Sequence, residues 1–90
     1  MGASKFEVPG CCEVRLRPEQ ESGYSAYVPA LPGVVSEGET REEALRNITE
    51  ALGGVLWTYV EGGNPIPWSA EPEPLADGDI RAWVVVDLES

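Results

Sequence analysis

The stretch "YVPALPGVVSEGETREEALRNI", residues 27–48, joins an aromatic strand to a helix through a segment rich in proline, glycine and acidic residues. Pro29 lacks the N–H group that a central strand residue donates, so it limits the strand before it. Gly38 is suited to a positive φ or a bulge where the chain leaves a sheet. Thr40 is followed three residues later by Glu43, which is the spacing of a capping box. The stretch therefore predicts a strand end, a corner, a short strand and a helix start.

Alternating apolar and polar residues predict four strands around this stretch. Residues 11–18, "CCEVRLRP", alternate with period two, which is typical of a half-buried strand. Residues 24–31 and 33–39 are interpreted as the second and third strands of a meander. Residues 80–88, "IRAWVVVDL", form the predicted last strand. Between the last two strands, four prolines and five acidic residues within positions 61–79 predict a solvated, extended connector.

The predicted helix begins after Thr40 and ends near Gly62 and Gly63, with prolines beyond them. Gly53 and Gly54 fall inside it, where they either allow a close backbone neighbour or bend the helix. Its apolar residues recur at spacings of three and four and form one stripe: Ala44, Leu45, Ile48, Leu52, Val55, Leu56 and Tyr59.

The element order predicts an α+β fold, β-β-β-α-β, with one helix packed on a four-stranded mixed sheet. A right-handed crossover would place the last strand beside the first and parallel to it. One helix covers one face of such a sheet, so Tyr27, Trp83 and Val85 on the other face become candidates for an oligomer interface. The alternative is that a loop such as Pro65–Pro74 folds over them. We expect a homo-oligomer, a dimer or higher.

Composition narrows the function classes. Six Lys and Arg against sixteen Asp and Glu give a net charge of −10, which disfavours nucleic acid as a direct ligand and favours a basic protein partner. Residues 1–10 are predicted to be a flexible tail and residues 11–90 a single domain. The tail lacks the apolar region of a signal peptide, and no stretch is long enough to span a membrane. With Cys11 and Cys12 adjacent and expected to be reduced, the chain is predicted to be cytoplasmic.

No catalytic, metal or cofactor site is predicted. The chain has no histidine, and two cysteines do not complete a zinc site. Glu13 and Asp87 could share a face of the sheet as ligands of a two-metal nuclease, but charges on the solvent side of half-exposed strands are the simpler interpretation.

The runs "GYSAYVPALPGVVSEGETREEALRNITEAL" and "GGNPIP" together resemble the HicB-like antitoxin family. The resemblance covers residues 23–67 and implies a partly degraded ribonuclease H-like fold. In this family pattern the prolines hold the corner, Gly33 permits a tight approach and Gly38 releases the chain. The matching positions are Tyr24, Pro29, Pro32, Gly33, Gly38 and Thr40.

The resemblance implies an antitoxin that sequesters a small basic mRNA-cleaving toxin of the HicA type by covering its RNA-binding surface. The candidate toxin contacts are acidic: Glu37, Glu39, Glu42, Glu43 and Glu50. The alternative function is an oligomeric scaffold or small-ligand module without a toxin. Family repressors carry a DNA-binding segment after the last strand, and this sequence stops at Ser90, so we expect no operator binding by this chain alone.

Overall fold

A computed structural model describes residues 10–86 of the chain. It contains one helix and four strands, β1 (Cys11–Pro18), β2 (Tyr24–Tyr27), β3 (Val35–Gly38), α1 (Arg41–Gly62) and β4 (Ile80–Val85). The order β-β-β-α-β is as predicted, and the fold is α+β. The second and third strands are shorter than predicted, because residues 28–34 form a corner between them. Residues 1–9 of the predicted tail, and Asp87 with the end of the predicted last strand, lie outside the described residues.

The sheet order is β3-β2-β1-β4, and every pairing is antiparallel. The prediction that β4 lies beside β1 is confirmed, but the prediction of a mixed sheet with β4 parallel to β1 is wrong. The connector is the physical reason. α1 returns the chain to one end of the sheet, and residues 63–79 then cross back before β4 starts opposite Leu16. This second crossing reverses the direction of β4.

Strand alternation separates the sheet into a helix-facing side and an outer side. Val14 and Leu16 on β1 and Ala26 on β2 are fully buried or nearly so beneath the helix. The helix contributes its predicted apolar stripe, of which Ala44, Ile48, Leu52 and Leu56 are completely buried. The core is thus one layer of apolar side chains between α1 and the sheet.

Thr40 caps α1 as predicted, since its hydroxyl accepts a 3.0 Å hydrogen bond from the Glu43 N–H. The Glu43 carboxylate does not reach back to Thr40; it accepts from the N–H of Glu39 at 2.6 Å. The helix ends at Gly62 and is followed by the C-cap Gly63, whose φ of 74° is the left-handed conformation. An added Cβ at Gly53 or Gly54 would meet no atom within 4 Å, so the close-neighbour alternative for these two glycines is wrong.

Gly33 in the corner and Gly38 at the end of β3 exchange the roles that the sequence suggested. Gly33 has a φ of 101° and no close neighbour, so it supplies backbone conformation and not tight approach. Gly38 has an ordinary φ, but a Cβ there would lie 2.4 Å from the backbone nitrogen of Ala44. Gly38 is therefore the position at which β3 and α1 come too close together for any side chain.

Residues 70–78 of the connector are exposed and irregular, as predicted for a solvated segment, but the connector is anchored to the rest of the fold at several points. Ile66 is buried in the core, and the N–H of Ser69 donates to the carbonyl of Ala30 at 2.7 Å. The chain then crosses to the outer side, where the Glu73 carbonyl accepts a 2.6 Å bond from Arg15. Arg15 is consequently only 4% exposed. The connector thus covers part of the outer side and leads directly into β4.

Candidate functional site

A groove of about 420 Å³ opens where the β1–β2 turn, the edge of the sheet and the start of α1 meet. Four of its lining residues are glutamates, and none is lysine or arginine. We call this surface the acidic groove. Its lining is Glu19, Ser22, Gly23, Tyr24, Glu37, Gly38, Glu39, Glu43 and Asn47.

Two glycines make the acidic groove narrow. Gly23 adopts a φ of 84°, and a Cβ there would lie 2.9 Å from the carbonyl oxygen of Gly38. Gly38 in turn lies against the backbone of Ala44 at the start of α1. Because these two residues have no side chains, the turn, β3 and the start of the helix can lie close to one another. Carboxylates from these three segments therefore meet at one opening.

Backbone contacts fix the walls of the groove. The amide of Asn47 donates a 2.8 Å bond to the carbonyl of Glu37, which ties α1 to the edge of β3. The Glu43 carboxylate is held by the N–H of Glu39. Carboxylates are favourable here because the first turn of a helix carries partial positive charge. The side chains of Glu37 and Glu39 themselves are exposed.

Three of the five predicted toxin contacts, Glu37, Glu39 and Glu43, line the acidic groove together. Glu42 and Glu50 are exposed on α1 but do not line it. Glu19 lines the groove and was not predicted, because the turn residues carry no periodic pattern that would show which way they point. The "ESG" that ends this turn was the available signal, since Gly23 folds it towards β3.

The outer side of the sheet carries a second polar group of residues, centred on Asp79. Arg17 donates two hydrogen bonds to its carboxylate, at 2.9 and 3.0 Å, and Tyr27 donates one at 2.6 Å. The Asp79 side chain is fully buried although Arg17 is half exposed. The Arg17 bonds hold the pKa of Asp79 below its usual range. Burial, together with the bond to Asp79, raises the pKa of Tyr27.

Glu13 has a structural partner on each side. One carboxylate oxygen accepts from Arg15 and from Arg81, both at 2.9 Å, so it bridges β1 and β4. Within residues 10–86, no cluster of three or more metal-ligating side chains occurs. Among these same residues, no helix combines the length and the apolar character that crossing a membrane requires.

The predicted interface residues do not form one patch. Trp83 and Val85 lie on the outer side of β4 and are 63% and 73% exposed. Tyr27 lies two strands away on β2, with the charged outer side of β1 between them. The connector passes beside Tyr27, with Glu73 and Pro72 near it, but leaves Trp83 and Val85 open.

Comparisons with known proteins agree with this architecture. A profile described as the HicB-like antitoxin of bacterial toxin–antitoxin systems matches residues 12–89. The UPF0150 protein ssr1765 of Synechocystis is 41% identical over 54 residues, which are 60% of this chain and 68% of that protein. Antitoxin HicB 1 of Photorhabdus laumondii is 39% identical over 54 residues, 60% of this chain but only 35% of that antitoxin.

A solved structure is similar over nearly the whole described region. The N-terminal domain of the Burkholderia pseudomallei antitoxin HicB aligns with a TM-score of 0.72 and 31% identity, covering 87% of this chain and 99% of that domain. The fold similarity and the profile match over residues 12–89 lead to one assignment. The chain belongs to the HicB-like antitoxin family of bacterial toxin–antitoxin systems.

Proposed function

We propose that this chain is an antitoxin module that binds a small basic mRNA-cleaving toxin of the HicA type through the acidic groove. Membership of the family supports the class of partner. The observation that carries the location is the convergence of Glu19, Glu37, Glu39 and Glu43 on one opening that contains no cationic side chain. A lysine or arginine of the toxin would enter this opening.

Charge distribution supports the same surface. Arg15, Arg17 and Arg81 lie on the outer side of the sheet, where each is paired with Glu13 or Asp79. Those two carboxylates are therefore already neutralised locally. The glutamates of the acidic groove have no salt-bridge partner within residues 10–86, so they contribute most directly to the field that a basic protein meets.

The proposed binding is non-catalytic. Covering the surface with which the toxin holds RNA would inhibit it without any chemical step by this chain. Because surface charges steer the encounter, the acidic groove should act mainly on the association rate, and this effect should weaken as salt screens it.

For the test, the DNA next to this chain's gene is searched for a small basic open reading frame, and its product is used as the partner. The two are coexpressed and copurified, and association is measured by stopped flow at low and high salt. Glu37→Lys with Glu39→Lys is compared with Glu61→Lys with Glu71→Lys, which changes the net charge equally but outside the groove. Glu43 is left intact because its carboxylate also holds the N–H of Glu39, just before the helix.

We expect the groove variant to slow association about tenfold at low salt and to flatten the salt dependence. The control variant should change the rate by less than about threefold. Equal effects of the two variants would mean that net charge, and not the groove, attracts the toxin. Failure of the wild-type chain to bind the neighbouring protein would overturn the proposed function itself.

A further inference from the structure

The turn before β4 contains the one place in the sequence where an aspartate is followed by a glycine, Asp77–Gly78. The N–H of Asp79 donates a 3.1 Å hydrogen bond to the carbonyl of Ala76, and Gly78 has a φ of 85°. This bond and this φ are those of a type II turn with the glycine at its third position. The turn joins the exposed part of the connector to the start of β4.

Asp77 and Gly78 are both open to solvent. Both residues are exposed, and a Cβ added at Gly78 would meet no atom within 4 Å. Within residues 10–86, no backbone carbonyl accepts from the N–H of Gly78. This nitrogen and the carboxyl group of Asp77 are separated only by bonds of Asp77 itself. Rotation within one exposed residue therefore brings the two groups together.

We propose that Asp77 is a site of spontaneous isomerisation to isoaspartate. The backbone nitrogen of Gly78 attacks the side-chain carboxyl carbon of Asp77, and a five-membered succinimide ring forms. The N–H proton and one carboxyl oxygen leave as water, with the second proton taken from solvent. A glycine nitrogen is suited to this attack because no side chain beside it hinders ring closure.

Hydrolysis of the ring completes the change. Water adds to the former main-chain carbonyl of Asp77 and breaks its bond to the nitrogen of Gly78. The chain then runs through the side-chain CH₂ group, and the former main-chain carbonyl becomes a free carboxylate. One water is released and one is consumed, so the mass and the net charge of the chain do not change.

Asp79, two residues later, is a contrasting site. Its side chain is fully buried and accepts hydrogen bonds from Arg17 and Tyr27. The next residue, Ile80, is branched at Cβ and is paired with Leu16 of β1. The carboxyl group and the nitrogen that would have to meet are thus both held in place. We expect Asp79 to remain an ordinary aspartate while Asp77 isomerises.

Isomerisation at Asp77 should loosen the start of β4. It inserts one more carbon, about 1.5 Å of backbone, between Ala76 and Asp79. The hydrogen bond that now closes the turn is then no longer part of the same ring. Asp79 is the residue that Arg17 and Tyr27 hold, so added length next to it disturbs their bonds. This inference does not depend on toxin binding.

Peptide mapping of the whole chain tests the site. After several weeks at neutral pH the chain is digested with trypsin, which releases residues 47–81 as one peptide because no lysine or arginine lies between Arg46 and Arg81. We expect this peptide to split into two peaks of equal mass. Electron-transfer fragmentation should place isoaspartate at residue 77 and none at residue 79.

Two variants of Asp77 are the matched controls. Asp77→Glu keeps the charge but would need a six-membered ring, so its peptide should remain a single peak. Asp77→Asn should react faster than the wild type, because an amide loses ammonia more readily than a carboxylate loses water. Asp77→Asn that reacts no faster than the wild type would contradict ring closure by Gly78.

A synthetic peptide with the sequence of residues 74–81 supplies the reference rate. One backbone hydrogen bond closes the turn, so the whole chain should isomerise no more than about tenfold more slowly than the peptide, the factor that one net hydrogen bond supplies. A wild-type chain that still gives a single peak long after the peptide has split would overturn the proposal. Isoaspartate at Asp79 in place of Asp77 would overturn it too.

Urea unfolding of the incubated chains tests the effect on β4. The isomerised fraction of the wild type should unfold at a lower urea concentration than the fresh chain. Asp77→Glu incubated for the same time should match its fresh form. An isomerised fraction as stable as the fresh chain would show that the added carbon does not disturb Asp79, and it would overturn this part of the proposal.

Discussion

The hydroxyl of Tyr27 donates a 2.6 Å hydrogen bond to the carboxylate of Asp79, which follows it by 52 residues. Arg17 holds the same carboxylate, and its guanidinium lies 5.5 Å from the centre of the Tyr27 ring. Asp79 is the last residue of the connector and precedes β4. The three side chains therefore fix the point at which the chain returns to the sheet, and with it the start of β4.

The first prediction concerns pH. Arg17 and Tyr27 lower the pKa of Asp79, so their contribution to stability is complete above the pKa that this carboxyl has in the unfolded chain, about 3.9. It is lost as pH falls through the lower pKa of the folded state. We expect Asp79→Asn to destabilise the fold at pH 7 and to flatten the decline in stability below about pH 4. Urea unfolding from pH 7 to pH 2.5 measures both.

Tyr27→Phe is the matched control. It removes one hydrogen bond, at a cost of about 1 kcal/mol, but leaves the Arg17–Asp79 pair in place. Its stability should therefore still decline in acid. An Asp79→Asn chain as acid-sensitive as the wild type would contradict the assignment.

The second prediction separates two kinds of glycine. Gly38→Ala should destabilise the chain by about 1–3 kcal/mol, because the added methyl group would overlap the backbone of Ala44. Gly53→Ala should stabilise it by up to about 1 kcal/mol, since the site lies inside a helix and the methyl group meets no atom. Thermal unfolding of the two variants should therefore shift in opposite directions. A Gly38→Ala chain as stable as the wild type would show that β3 and α1 do not approach this closely.

The third prediction concerns nucleic acid. With a net charge of −10 and with the three arginines of the sheet paired, this chain alone should not retard duplex DNA or RNA in a gel, even at low salt where non-specific binding is strongest. A basic protein of similar size serves as the positive control. A clear shift at micromolar concentrations of this chain would contradict the expectation.

Local patterns account for what the sequence predicted correctly. Alternation located β1, the cap at Thr40 located the start of α1, and spacing identified buried residues such as Leu52. These signals depend on neighbours within about one helical turn, so they do not depend on the route of the rest of the chain. The same logic placed Trp83 on the outer side.

The direction of β4 could not be predicted from such local patterns. It depends on contacts between the connector and distant residues, such as Glu73 with Arg15 and Asp79 with Arg17. Nothing in the composition of the connector indicates these partners, because proline and acidic residues are equally typical of a solvated segment. Glu19 was missed for a related reason, since its place in the acidic groove depends on how closely the turn approaches β3.

In the sheet β1 pairs with β2, which is close to it in sequence, and with β4, which is far from it in sequence, and this difference affects the order of folding. β1 meets β2 across a short turn, whereas β4 reaches it only after β2, β3, α1 and the connector have been traversed. Loop closure of that size is slow relative to hairpin formation, so β4 is expected to dock late and to detach early in local unfolding. The buried thiol of Cys12 lies directly opposite Val84, and its burial raises its pKa. Thiol reactivity at Cys12 is therefore a built-in reporter of how often the last strand opens.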